Sequence, residues 1–295
     1  MIDNDRLFRF IIENSNVRGE MVHLDASWQA VLQRTPYPET VRNILGEALA
    51  ACALLAATIK FEGSLILQIR GDGPLHLLVA QSTAEGTVRG IARWHDEVPQ
   101  NDLKAIFGNA QLVITIEPPK NKIGGEPYQG IIALDGEKLG HAIENYFRQS
   151  EQLNTRLWLA ADERTCGGFL LQELPGKSSD NDADAWPRAT QLADTLTADE
   201  ILHLPAVKVL HRLFHEEDIR LFDAEPVSFR CNCSRERIDT ILLSMGTDEA
   251  HEILHEQGKV SVDCEFCNAH YEYDAVDIDA LFVGTSAPGN SSTRH

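Results

Sequence analysis

Arg230-Cys-Asn-Cys-Ser-Arg-Glu-Arg237 and Asp263-Cys-Glu-Phe-Cys-Asn268 together hold four of the chain's six cysteines. The pattern is C-x-C, thirty intervening residues (234 to 263), then C-x-x-C. Four thiolates from two close pairs are what a tetrahedral zinc site requires. Each pair offers two sulfurs from one turn, and the intervening segment must fold back to join them. Cys231, Cys233, Cys264 and Cys267 are therefore the expected ligands of one zinc ion. Metal-bound thiolates are also oxidisable, so the same four atoms can hold a fold together or sense oxidant. An inert structural site and a redox switch both remain open at this point.

Outward from the cysteines, a module is expected over residues 225–283. Ser234 is the expected N-cap of a helix from Arg235 to Ser244, stopped at Met245-Gly246. A short helix, Asp248 to Gln257, ends at Gly258, and Lys259 to Asp263 reads as a strand leading into the second pair. A module of about 60 residues is marginal without metal or disulfides. His251, His255 and His270 lie nearby, but four cysteines already complete the site. Residues 284–295 are rich in Ser and Gly and are expected to be a disordered tail.

Upstream, Ala189 to Phe222 carries helical patterning. Thr197-Ala-Asp-Glu200 has the form of a capping box, and Pro205 interrupts soon after it. Val207, Leu210, Leu213 and Phe214 give the next segment an apolar stripe. Such helices bury too little to fold alone and need a surface to dock on, so their stability is conditional. Before them, Pro175 to Asp184 is polar and small, and a linker is expected over residues 176–224.

Residues 1–175 read as one α+β domain. A short helix near Ser27–Arg34 precedes a longer one, Glu39–Ile59, and a further helix is expected over Glu137–Gln152. Strands are expected at 65–70, 75–80, 87–92, 111–116, 129–134, 155–160 and 168–174, with a Pro-, Lys- and Gly-rich loop from Glu117 to Tyr128. Sequential strands joined by tight turns predict antiparallel meanders rather than βαβ units. The fold class is α+β: an N-terminal antiparallel-sheet domain with helices, a metastable helical linker, and a small C-terminal zinc module.

Net charge is −19, and residues 225–295 carry 13 Asp and Glu against 5 Lys and Arg, a net of −8. Phosphate contacts need clustered cations, so a zinc-binding nucleic-acid regulator is the weaker alternative. The longest apolar run, Ala48–Ile59, is too short to span a bilayer, and the N-terminus has no signal-peptide pattern. A cytoplasmic protein with no membrane partner is expected, where thiols are kept reduced and paired cysteines point to metal or redox sensing. Cys52 reads as inert core and Cys166, before Gly167-Gly168 in an expected turn, as a bystander. Gly71-Asp-Gly-Pro74 lacks the Lys-Ser/Thr of a phosphate loop and reads as a hairpin turn. No catalytic constellation is evident, so an enzyme is not expected. A thiol–disulfide oxidoreductase, the second alternative, would need a nucleophilic cysteine of low pKa in a pocket.

Arg230–Arg237 and Cys264-Glu-Phe-Cys-Asn-Ala-His-Tyr271 resemble the zinc signature of the bacterial redox-regulated holdase chaperone family, heat-shock protein thirty-three. Arg70–Leu75, Val79–Gly86, Val88–Ala92 and Gly168–Pro175 are similar to that family's strand–turn runs, so the resemblance covers nearly the whole chain up to Gly284. Cys52 and Cys166 lie outside the family's switch and would be a source of off-pathway disulfides. The resemblance implies an ATP-independent chaperone, inactive while reduced and zinc-bound. It implies that oxidants, usually with heat, convert the thiolates to two disulfides, Cys231 with Cys233 and Cys264 with Cys267, with release of zinc. It further implies unfolded client proteins as partners, a homodimer when oxidised, a client-binding and dimerisation domain at 1–175, and a redox-sensitive linker. On this reading Leu210, Leu213 and Phe214 form the docking stripe that covers client-binding surface. Exposed apolar area binds unfolded chains generically, and high negative charge keeps the opened form soluble.

Overall fold

Arg6–Ile12 (β1) and Val17–Leu24 (β2) form a hairpin that turns at Asn14, whose φ of 54° is left-handed. Asp5 then caps the next helix from outside, accepting from the amides of Ala26 and Ser27, each at 2.9 Å. That helix is Ala26–Leu32 (α1), and Glu39–Thr58 (α2) follows the Pro36-Tyr-Pro38 breaker. Three strands come next as a meander: Ser64–Arg70 (β3), Leu75–Thr83 (β4) and Thr87–Trp94 (β5). After Leu103–Phe107 (α3) lie Gln111–Glu117 (β6) and Tyr128–Ala133 (β7). Leu139–Tyr146 (α4) continues into a π-turn, Phe147–Glu151, before Thr155–Ala161 (β8) and Cys166–Glu173 (β9). Three short helices, Ala185–Ala193 (α5), Ala198–His203 (α6) and Ala206–Phe214 (α7), lead into Ile219–Leu221 (β10), Glu225–Pro226 (β11) and Ser228–Phe229 (β12). The chain closes with Arg235–Met245 (α8), Thr247–Gln257 (α9), Val260–Asp263 (β13), His270–Tyr273 (β14) and Ala275–Val283 (α10). The computed structural model describes residues 4–59, 61–100, 102–119, 126–134, 136–175, 182 and 184–283. Most of the expected polar linker start (176–181 and 183), the middle of the expected Glu117–Tyr128 loop and the expected tail lie outside the described residues.

By its contacts the chain divides into two units, residues 1–230 and 231–295. In the first unit, one sheet has the order β10-β1-β2-β9-β8, with β11 also beside β1, and the other β12-β5-β4-β3-β6-β7. Among the described residues all pairs in these sheets are antiparallel except β12 with β5, and the expected meanders are interrupted where distant strands pair, β1 with β10, β2 with β9 and β3 with β6. Helix α2 lies between the sheets. Its Leu45, Leu49, Leu54 and Leu55 share a core with Val22, Leu24 and Leu170 of the first sheet and Leu67, Ile69, Leu78 and Ile114 of the second. By length and composition α2 could cross a membrane, but fourteen of its twenty residues are buried inside the unit.

The far face of the first sheet forms a second core. Phe8, Phe10, Met21, Phe169 and Leu171 pack there against Ala189, Ala193, Ile201, Val209, Leu210, Leu213 and Phe214 of α5–α7. Strand β9 is thus buried on both faces except at Glu173, which explains its apolar stretch Phe169–Leu171, while the buried Gln172 is satisfied by a hydrogen bond to Thr155 at 2.8 Å. Phe10 stacks on Phe169 at 5.7 Å between ring centroids, and Phe214 meets the pair at 6.1 and 6.4 Å. Gly19 is what admits this stack: a Cβ there would lie 2.1 Å from Phe10 Cζ.

The helical region differs from its sequence reading in two places. Val207 is 59% exposed, because it lies about 100° round the helix from Ala206, off the stripe formed by Ala206, Val209, Leu210 and Leu213. Helical structure ends at Phe214 rather than Phe222, since Ile219–Leu221 pairs with β1. The expected capping box is present, with Thr197 and Glu200 each satisfying the other's backbone amide. Helix Glu137–Gln152 is shorter than its pattern and ends in the π-turn, with Gln152 left-handed at φ 56°. Cys166 begins a strand instead of sitting in a turn. Expected as the start of the zinc segment, Glu225 instead pairs with β1, and the division between units falls after Arg230.

Candidate metal centre

In the second unit each cysteine pair sits where local hydrogen bonding fixes the chain. Cys231 and Cys233 precede α8, whose N-cap Ser234 accepts from the amide of Arg237, as its sequence position predicts. Cys264 and Cys267 occupy the turn of the β13–β14 hairpin. There the amides of Cys267 and Asn268 donate to the carbonyl of Cys264 at 3.2 and 2.6 Å, and the amide of Cys264 donates to Ala269 at 2.9 Å. Asn268 closes the turn at φ 54°. Register then continues from Asp263 opposite His270 to Val260 opposite Tyr273.

Tyr273 is the keystone of this unit's small core. Its side chain is 2% exposed beside Ile238, Leu242, Ala250, Val260 and Ile278, and its hydroxyl donates to Asp239 Oδ1 at 2.7 Å. The guanidinium of Arg235 lies 4.3 Å from its ring centroid, so α8 is fastened to β14 by a cation–π contact as well.

The four Sγ atoms converge. All lie within 4.8 Å of one another, with Cys231 to Cys264 at 3.6 Å and Cys233 to Cys267 at 3.2 Å. A tetrahedral zinc ion held at about 2.3 Å would space its sulfurs about 3.8 Å apart, so the donor set fits such an ion. Backbone amides of Phe266 and Cys267 face the Cys264 sulfur, and that of Ala269 faces Cys267. Around Cys233, burial works against the thiolate, but hydrogen bonds from the Tyr271 hydroxyl and the other thiols outweigh it and bring the pKa down to about 7. Burial raises Cys264 and Cys267 instead. Four thiolates this close repel one another, and a divalent cation is what allows them to coexist.

The other candidates stand apart. His251 is held by Thr247 O at 2.8 Å and Asp279 at 2.9 Å, His270 by Asp263 and Glu272, and exposed His255 lies in the last turn of α9; among the described residues none joins the four-thiol group. Cys52 is fully buried, donates its thiol towards Leu65 and Ala80 carbonyls at 3.4 Å, and is pushed up to about 12 by burial. Burial also raises Cys166, with Asp5 and Asp162 adding to it. Leu210, Leu213 and Phe214 are 5%, 2% and 2% exposed in the second core of the first unit. Sequence reasoning missed Tyr271, Tyr273 and Arg235, although Tyr271 and Tyr273 alternate with Glu272 in the strand-like run after Cys267.

Fold and site together define a class: a two-sheet α+β unit followed by a C-terminal module whose four cysteine sulfurs are positioned to hold a metal ion. Comparison with known proteins narrows it. The sequence model of the Hsp33 protein family matches residues 5–274. The chain is 50% identical to a 33 kDa chaperonin of Nitrosococcus oceani over 295 residues, covering 100% of each chain. It is 45% identical to one of Pseudomonas fluorescens over 300 residues, covering 100% of this chain and 99% of the other. The crystal structure of a 33 kDa chaperonin from Thermotoga maritima superposes with a TM-score of 0.81 at 22% identity, covering 95% of this chain and 99% of the other, a likeness of fold. The chain belongs to the Hsp33 family.

Proposed function

We propose that this chaperone is a redox-regulated, ATP-independent holdase. It is quiet while reduced and metal-bound, and it binds unfolding proteins once its four metal-site thiolates have become two disulfides. One observation carries the reading: four Sγ atoms lie within 4.8 Å in a unit whose buried core, among the described residues, has six members. Bound zinc supplies the charge that holds the thiolates together, with an apparent binding energy of about 10–16 kcal/mol, more than so small a core contributes.

Oxidation forms two S–S bonds and removes four electrons from the thiolates. Two molecules of peroxide accept two electrons each as their O–O bonds break, and with protons they leave as water. Every sulfur pair is within reach, so distance selects no pairing. The family resemblance favours Cys231 with Cys233 and Cys264 with Cys267. Without four thiolates the unit loses its main source of order, and the chain after β12 becomes slack. Strands β11 and β12, two residues each, are then the weak tether of the chain leaving the linker. Release of α5–α7 would bare both the Leu210–Leu213–Phe214 stripe and the Phe10–Phe169 face for clients. A client-binding and dimerising domain at 1–175, a linker at 176–224, an oxidised homodimer and a cytoplasmic location without nucleic-acid partners complete the proposal.

The test is light scattering from a thermally unfolding client. Protein oxidised by peroxide at elevated temperature is expected to suppress aggregation, and reduced zinc-loaded protein is not. Equal suppression by both forms would make the metal centre an inert structural site and sink the switch.

A further inference from the structure

We propose that His76 and His95 form a second metal site, separate from the cysteines, for one borderline divalent cation of the nickel, copper or zinc type. Their Nδ1 atoms face each other at 3.2 Å, with ring centroids 5.2 Å apart. Two imidazole nitrogens bound at about 2.0–2.1 Å to one ion lie about 2.9–3.4 Å apart at angles between square and tetrahedral. The observed separation falls inside that window.

The backbone is built to produce this pair. Strand β4 pairs with β5 through Leu75 opposite Trp94 and Leu77 opposite Arg93, so His76 is the extra residue of a β-bulge. Regular alternation would not bring it level with His95; a bulge re-aims its side chain. His95 is fixed by its amide, which donates to Pro74 O at 2.9 Å, and the carbonyl of His76 accepts from Gly71 at 3.1 Å. The remaining ring nitrogen of His95, Nε2, lies 4.0 Å from Asp96 Oδ2. A carboxylate near the outer nitrogen supports a metal-bound imidazole; at 4.0 Å this one is beyond hydrogen-bond distance and would act through its charge. Asp96 holds that position from a left-handed backbone, φ 59°. The His95 side chain is 55% exposed, which leaves room for water to complete the coordination.

Nickel(II) is the probe, because it does not oxidise thiols. It is titrated calorimetrically at pH 7.5 into the full reduced chain carrying one equivalent of zinc, with zinc release followed by a chromogenic chelator. One nickel site is expected without zinc release. His76→Ala and His95→Ala should each weaken it at least tenfold, and Asp96→Asn a few-fold. His211→Ala, which removes the other close histidine pair with His215, should leave it unchanged. In wild-type protein, nickel should broaden the His76 and His95 imidazole resonances first, a readout independent of any variant's folding. Unchanged affinity in both alanine variants would mean an ordinary hydrogen-bonded pair and overturn the proposal. So would nickel uptake matched one for one by zinc release, or loss of the site in His211→Ala.

Discussion

At the scale of single residues, Glu20 carries a cost that pH can reveal. Its carboxyl is 2% exposed on β2, and burial pushes it up to about 7, against the hydrogen bond from Thr58 and the nearby Arg18 and Arg9 charges. In the unfolded chain it titrates near 4.5. Between those values the folded state keeps a proton that the unfolded state has released, so stability falls as pH rises, and the loss is complete above about 7. Glu47 is displaced in the same direction by burial and contributes to the same slope. Glu20→Gln should therefore leave stability near pH 4 almost unchanged and raise it by roughly 2–3 kcal/mol at pH 8, read by denaturant titration of the zinc-loaded chain. A pH slope identical to wild type would show that Glu20 ionises freely. Gly19 makes an opposite prediction. Phe10 cannot swing away from a new Cβ, because Phe169 and Phe214 hold its ring. Gly19→Ala should cost about 1–3 kcal/mol and make residues 185–214 more sensitive to protease in the reduced state. The cysteine site was legible at this scale because spacing alone carries ligand geometry. Tyr273 and Arg235 were not, since their contact depends on a hairpin register and a helix that only the folded unit brings together.

At the scale of elements, what the sequence concealed is pairing between distant strands. Arg6–Ile12 has the apolar and aromatic content of a strand, yet its partners include β2, β10 and β11, drawn from both ends of the first unit. A three-residue strand such as Ile219–Leu221 has no local signal, so the helical pattern before it was extended too far. The docked helices were more readable, because a capping box and a 3.6-residue stripe are local features. Their hold on the sheet is mainly apolar, supplemented at the edge by Arg156 of β8 with Asp194 at 2.7 Å, while Arg212 with Glu200 at 2.6 Å ties α7 to α6 within the docked group. Each fully buried apolar side chain of α7 contributes about 1.5–3 kcal/mol to docking. The double substitution Leu210→Asp with Phe214→Asp should release α5–α7 without oxidant and give the reduced protein client-protecting activity. If the reduced variant stays inactive and its 185–214 segment stays protease-resistant, docking of this stripe is not what restrains the chaperone.

At the scale of the whole molecule, the two units draw their stability from different sources, and metal removal should separate them. The first unit has two large cores and a helix enclosed between sheets. Among its described residues the second has six buried in its core, four partly buried thiols and a cation–π clasp. A core that small contributes only a few kcal/mol before chain entropy is counted, so on the proposed reading its folded state rests on an ion held by the four sulfurs. Entropy then acts against it with nothing in reserve. Incubating the reduced chain with a strong zinc chelator should abolish the near-ultraviolet circular dichroism of Tyr271 and Tyr273 and open sites within 231–283 to limited proteolysis. The first sheet and α2 should keep their hydrogen-exchange protection, while exchange rises in α5–α7 if the linker depends on the second unit. Chelation that leaves 231–283 protected would show that this unit folds on its own contacts. In that case oxidation of its thiols could not act by unfolding it, and the switch would have to work through the disulfides themselves.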